Sequence, residues 1–180
     1  GTFALLAQNF TTLTDSFNVA VGYAAGTAVT TGTNNTLIGG TAGDALTDAD
    51  NNVAVGRSAL GSDTLGSKST AVGRGALGAQ NFTTATDSNN TAVGYTAGNS
   101  VTTGTHNSFL GAAAGLNVTT GLRNTLIGAL AGDALTDADS NVAVGANALA
   151  ADTLGSRSIA IGQGALFTQN FTTATDSNNI

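Results

Sequence analysis

Two strings of acidic residues have a spacing that suggests a metal site. Residues 48–52 read D-A-D-N-N and residues 137–141 read D-A-D-S-N, which resembles the opening of a calcium loop. An EF-hand loop also needs a central Gly and a closing Glu, and all eleven acidic residues of this chain are Asp. An Asp-rich turn is therefore the main interpretation of both strings, and calcium binding is kept as an alternative.

His106 is the only histidine, and the chain has no cysteine. It precedes Asn107 at a position where other repeats carry Asn34, Lys68 or Arg123, a variety that is typical of a solvated turn. A Ser-His-Asp triad or a zinc site needs ligands and bases that one histidine does not supply. We therefore predict no enzyme activity, no catalytic or cofactor-binding residue and no metal-ligating residue.

These side chains lie within a phrase that the chain repeats nine times. It consists of Asn or Ser, a variable residue, two apolar residues, Gly, two variable residues and Ala. Seven of the eight spacings are 17 residues, and the one from Ser69 to Asn90 is 21. Such a short period is typical of a solenoid in which each repeat forms one coil. The copies start at Asn18, Asn35, Asn52, Ser69, Asn90, Asn107, Asn124, Asn141 and Ser158.

The repeated phrases predict short strands. Segments such as Asn35–Gly39 are β-branched and are bounded by Asn and Gly, two turn-forming residues. Neighbouring side chains of a strand face opposite sides, so Leu37 and Ile38 must face apart. Because both are apolar, as in every copy, the strand must be covered on both faces. The sequence predicts an all-β parallel solenoid of about ten 17-residue coils, with a partner over its outer face.

Three further features describe the interior of the coils. The repeated Asn residues are expected to form a ladder along the stack, and the repeated Ala to fill a place too tight for a larger side chain. Repeats with Gly after this Ala carry an apolar residue three positions later, as at Leu46. Repeats with Leu there carry one five positions later, as at Leu65 and Phe82. We expect both types to fill the same core.

Composition and charge exclude two classes of partner. Only 9% of residues are charged, the net charge is −6, and five residues are Lys or Arg. Nucleic-acid binding needs a basic stripe, so no nucleic-acid partner is expected. No apolar run reaches the roughly 20 residues that span a bilayer, so no membrane insertion is expected.

A longer unit lies above the single repeat. Residues 35–90 match residues 124–179 at an offset of 89. We interpret residues 1–180 as one repeat array, with super-repeats at 1–72 and 73–161 and the start of a third at 162–180. We expect the array to be a piece of a longer fibre, since a stack accepts whole coils without disturbing its neighbours.

The phrase N-[ST/V]-[AL]-[VI]-G-x-x-A resembles the head repeats of YadA-like trimeric autotransporter adhesins. With Thr-Thr-Gly between copies, as at Thr30–Gly32 and Thr102–Gly104, it also resembles the NTAVG-type repeats of phage tail fibres. The adhesin resemblance implies a left-handed parallel β-roll and a homotrimer whose chains cover one another's outer faces. The expected function is a structural segment of a trimeric phage tail fibre or surface adhesin that supports host attachment, located outside the cell or on the virion.

Several alternatives remain open at this stage. The fibre could contact host cell-surface glycans, through Tyr23 and Tyr95 or through the loops Thr11–Phe17, Thr83–Asn89 and Thr172–Asn178. A glycan-cleaving tailspike would need two carboxyl groups about 5–10 Å apart. An ice-binding solenoid would need parallel threonine columns, and only one such column is present, with members such as Thr30, Thr47 and Thr64.

Overall fold

The protein is an all-β solenoid whose coils stack in parallel. A computed structural model describes residues 1–179, and this part of the chain has thirteen short strands and no helix. In chain order the strands are β1 Val19–Val21, β2 Thr36–Ile38, β3 Val53–Val55, β4 Gly66–Ser67, β5 Thr70–Val72, β6 Thr86–Asp87, β7 Thr91–Val93, β8 Ser108–Leu110, β9 Thr125–Ile127, β10 Val142–Val144, β11 Gly155–Ser156, β12 Ile159–Ile161 and β13 Thr175–Asp176.

One sheet runs the length of the stack. Within residues 1–179 it contains nine strands in the order β1-β2-β3-β5-β7-β8-β9-β10-β12, all parallel. The predicted parallel solenoid is therefore confirmed, with about nine turns where ten were predicted. The difference arises at the start of the chain, because residues 1–17 form turns and bends and no strand.

Each strand of the sheet sends its middle residue into the core. Leu37 pairs in register with Ala54, and Phe109 pairs with Leu126, and all four are buried. The repeated Ala is buried as well, which confirms the tight site predicted for it. The fully buried members of this set are Ala25, Ala42, Ala59, Ala76, Ala97, Ala114, Ala131 and Ala148.

The turns confirm the role assigned to the residue before the repeated Asn. At this place Asn34, Lys68, His106 and Arg123 all have a φ between 57° and 61°, the left-handed region in which one residue reverses the chain. Glycine follows each strand of the nine-stranded sheet, and at Gly39 the reason is steric. A Cβ on Gly39 would lie 2.6 Å from the carbonyl oxygen of Gly56 in the next coil, so no larger residue fits there.

The second type of repeat fills its core differently from the prediction. Leu60 and Leu77 are buried themselves, whereas Leu65 is only half-buried. The expectation that a shifted apolar residue replaces the missing one is correct for Phe82 and wrong for Leu65. In this coil the carboxylate of Asp63 is fully buried instead.

The 21-residue coils add small sheets beside the main one. Strand β4 pairs with β6, and β11 pairs with β13, both in parallel. These two pairs lie 89 residues apart, which is the offset between residues 35–90 and residues 124–179. The last residue of the predicted third super-repeat, residue 180, lies outside the described part of the chain.

None of residues 1–179 belongs to a helix of the length and apolarity that would cross a bilayer.

Candidate functional site

The carboxylates of the Asp-rich turns accept hydrogen bonds from a neighbouring coil. Asp48 Oδ1 accepts a hydrogen bond from Thr31 Oγ1 at 2.6 Å, and Asp50 Oδ1 accepts one from the backbone N–H of Thr33 at 2.6 Å. The second string repeats this pattern, with Leu122 N donating to the carboxylate of its second aspartate. Among the described residues no three His, Cys, Asp or Glu side chains gather where they could hold a metal ion.

The single histidine and the threonine column are also engaged locally. His106 is exposed, and its Nδ1 lies 3.0 Å from Thr105 Oγ1 of the same turn. In the column, Thr47 Oγ1 donates to the carbonyl of Thr64 in the next coil at 3.1 Å. The hydroxyls of Thr30, Thr102, Thr119 and Thr136 likewise donate to a carbonyl of the next coil. These hydroxyls therefore stabilise the stacking of the coils.

The repeated Asn residues form the predicted ladder, through the backbone of the neighbouring coil. The Oδ1 atom of Asn35 accepts a hydrogen bond from the N–H of Asn52 at 3.0 Å. Its Nδ2 atom donates to the carbonyl of Ala49 at 2.7 Å, 14 residues further along the chain. One side chain thus holds both its own coil and the next. Residues with the same pair of contacts are Asn18, Asn52, Asn90, Asn107, Asn124 and Asn141.

The ladder is interrupted at Ser69, and a buried polar cluster takes its place. Gln80 Nε2 donates to Ser69 Oγ at 2.8 Å and to Asp63 Oδ2 at 2.5 Å, while Gln80 Oε1 accepts from Asn90 Nδ2 at 2.9 Å. Ser88 completes the cluster through a short hydroxyl contact with Ser69. The sequence analysis missed this cluster, although one signal was present. Its residues recur 89 positions later as Asp152, Ser158, Gln169, Ser177 and Asn179.

The outer face of the main sheet is the feature best suited to a function. The last residue of each strand points away from the core, and in-register pairing aligns these residues in one column. We call this column the outer aliphatic strip. Val21 is 55% exposed, Leu110 50% and Ile161 69%, and the remaining members are exposed or half-buried. The strip consists of Val21, Ile38, Val55, Val72, Val93, Leu110, Ile127, Val144 and Ile161.

A second outward column runs beside this strip and is also uncharged. It is formed by the first residue of each strand, and Val19, Thr70, Ser108 and Ile159 represent its residue types. The outer face of the described sheet therefore has no charged side chain, although the chain has a net charge of −6. Parallel sheets in proteins are normally covered on both faces, and a contiguous exposed apolar surface marks a contact site.

The chain was compared with family models, with curated proteins and with solved structures. No match was found in any of the three. The outer aliphatic strip favours association, because an exposed, uncharged aliphatic surface loses water favourably when another apolar surface packs on it.

Proposed function

We propose that this chain is a structural segment of a homotrimeric fibre, a phage tail fibre or a surface adhesin, located outside the cell or on the virion. Its work is mechanical: a stiff stack of coils holds a receptor-binding part away from the surface that carries the fibre. The observation that supports the proposal best is the outer aliphatic strip, which a single chain leaves exposed.

The repeat favours further copies of the same chain as the partner. The strip has nine residues at the strand spacing of about 4.8 Å, so it extends over roughly 38 Å. A partner must present apolar side chains at the same spacing, and another copy of this sheet does so. Copies of a chain with a net charge of −6 would repel one another, but the contact face itself carries no charge. The number three and the left-handed coil follow from the resemblance to adhesin head repeats.

The other function classes are less favoured by the contacts. Asp63 and Asp152 are fully buried, so they are not placed to reach a glycan. The carboxylates of Asp48 and Asp50 already accept hydrogen bonds from the preceding coil. The threonine hydroxyls do the same along the stack. These engagements argue against a hydrolase, a calcium site and an ice-binding face, respectively.

Analytical ultracentrifugation tests the proposal directly. At micromolar concentration the chain is expected to sediment with three times the 17.5 kDa monomer mass, and its melting temperature is expected to fall on dilution. A stable 17.5 kDa species that melts at one temperature at all concentrations would contradict the proposal.

A charged substitution in the strip tests where the contact lies. Val72→Asp and Val93→Asp place a carboxylate on the outer face, where burial against a partner costs several kcal/mol, about enough to dissociate the assembly. Ala85→Asp adds the same charge on an exposed loop and serves as the control. We expect monomers from the first two variants, with retained β-sheet circular dichroism, and trimers from the control.

A further inference from the structure

A polar groove crosses four consecutive coils of the first half of the stack. Its volume is about 400 Å³. Its lining includes Thr41 and Asp44 from the first of these coils, Ser58 and Gly61 from the second, Gly78 from the third and Asn99 from the fourth. A second depression of about 310 Å³ adjoins it and shares Ser58, Gly75 and Asn99 with it, and we call the two depressions together the groove. Gly61, Gly75 and Gly78 form part of its lining, and a Cβ on Gly78 would lie 2.6 Å from Asn99 Nδ2. None of its lining residues belongs to the outer aliphatic strip.

Two arginines lie at the second depression. Arg57 and Arg74 are exposed and belong to adjacent coils. Arg74 Nη1 donates to Tyr95 Oη at 2.8 Å, and its guanidinium lies 5.5 Å from the centroid of that ring. The tyrosine therefore orients this arginine. In the described part of the chain, ion pairs are formed by Lys68 and Arg157, and the two groove arginines form none.

The two copies of the super-repeat, residues 35–90 and 124–179, differ more often at the groove positions than at the other positions. Ten residues lining the two depressions lie within residues 35–90, and eight of them differ from the residue 89 positions later. Only five of the other 46 positions differ. Arg57 corresponds to Ala146, and Gly78 corresponds to Phe167.

Exposure alone does not account for this difference. Asp48, Asn81 and the exposed residues 83–85 are unchanged in the second copy. The coil fold therefore tolerates either set of groove residues. The set found in the first copy has smaller residues at Gly61 and Gly78 and positive charge at Arg57 and Arg74, and the stack needs neither.

We propose that the groove binds an oligosaccharide that contains a carboxylated sugar. Arg57 and Arg74 pair with the sugar carboxylate, because guanidinium groups bind carboxylates through charge-assisted hydrogen bonds. Ser58 Oγ lies 3.0 Å from Thr41 Oγ1, and Asn99 Nδ2 donates to the carbonyl of Gly75 at 2.8 Å. The second N–H and the Oδ1 atom of Asn99 are therefore the groups that bond to sugar hydroxyls.

The shape and lining favour a sugar over a peptide. The groove spans four coils, about 14 Å at the strand spacing, so it accepts an extended chain of several sugar rings. Its lining is Gly, Ala, Ser, Thr, Asp, Asn and Arg, with no aliphatic pocket for a hydrophobic peptide anchor. The site requires only one chain, but its biological setting, a host-surface glycan, rests on the proposed function.

A panel of immobilised oligosaccharides in three sets, carboxylated, sulfated and neutral, tests the ligand class on the 180-residue chain. We expect binding within the carboxylated set. Titration calorimetry with the strongest ligand should then show at least a tenfold loss of affinity in Arg57→Ala, Arg74→Gln and Gly78→Phe. Each of these variants introduces the residue that the second copy carries at that position.

Two controls separate the site from charge and folding effects. Arg123→Gln removes the same charge as Arg74→Gln at an exposed turn outside the groove and should bind like the parent. All variants should keep the parent melting temperature within a few degrees. No binding within the carboxylated set, a preference for the sulfated set, or equal affinity in Gly78→Phe would overturn the proposal. Sedimentation of the same samples reports separately on the trimer.

Discussion

The side-chain amide of Gln80 donates to the buried carboxylate of Asp63 at 2.5 Å, and Gln169 repeats this contact with Asp152 at 2.6 Å. Asp63 Oδ1 also accepts hydrogen bonds from the backbone N–H groups of Gly66 and Phe82 at 3.1 Å each. A buried carboxylate is stable only when its oxygens are satisfied. Here three N–H donors do so, and the cluster joins two coils where the asparagine ladder is interrupted.

We predict that Asp63→Ala strongly destabilises the solenoid. The substitution leaves one side-chain N–H of Gln80 and the backbone N–H groups of Gly66 and Phe82 buried without an acceptor, and each such group costs about 1–3 kcal/mol. The loss in the free energy of unfolding should exceed about 3 kcal/mol, measured by denaturant titration. Asp48→Ala, which removes an exposed aspartate with a threonine partner, is the control and should cost under about 1 kcal/mol. Equal small losses would show that the cluster is not needed.

We predict that Phe109→Ala costs about 3–5 kcal/mol of unfolding free energy, because it removes the largest fully buried side chain. The ring lies between Gly98 and Gly115, where a Cβ would come within 2.5 Å of it. Because both neighbours are glycines, they have no side chain that could fill the cavity. Thermal unfolding measures the loss. Leu13→Ala, at a fully exposed position, should melt like the parent. A comparable shift in both variants would contradict the described core.

We predict that Asn124→Ala weakens both its own coil and the contact of that coil with the next one. Asn124 Oδ1 accepts from the N–H of Asn141 at 3.0 Å, and Nδ2 donates to the carbonyl of Ala138 at 2.7 Å. The loss leaves two buried backbone groups unpaired, at a cost of about 2–3 kcal/mol or more. Hydrogen exchange should show reduced protection of the Asn141 amide. Asn117→Ala removes an exposed amide and should leave that protection unchanged.

We predict that two aspartates make stability depend on pH. Desolvation by burial raises the pKa of Asp44 and of Asp133 above 3.8, against a smaller opposing effect of a backbone hydrogen bond. A raised pKa in the folded state means that the folded protein holds these protons more tightly than the unfolded chain. Their contribution is therefore most favourable below pH 3.8 and is lost as the pH rises through the folded-state pKa.

The double variant Asp44→Asn with Asp133→Asn tests this sign. It should melt at a higher temperature than the parent at pH 7, and the difference should disappear as the pH falls below 3.8. Melting temperatures between pH 3 and pH 7 measure the effect. A difference that stays constant over this range would mean that burial of the charge is not its cause.

Much of the coil could be predicted from local pattern. The short strands, the turn before each repeated Asn and the tight site at the repeated Ala could all be inferred from the 17-residue phrase itself. The core of the 21-residue coils could not be predicted in this way. Leu65 looked like the core residue because it is apolar, yet Asp63 takes the interior since Gln80, a full coil away, supplies its donor.

The sequence by itself determined the parallel coil, its period and the presence of two apolar faces on each strand, because alternation and turn formation are local properties of the chain. The tertiary structure decided that Leu37 faces the core while Ile38 lies on the outer face. It also brought nine residues together around the larger depression of the groove, the first of them Thr41 and the last Asn99. These outcomes depend on which side chains the stacking of coils brings together, and residues 17 or more positions apart meet only once the coils are stacked.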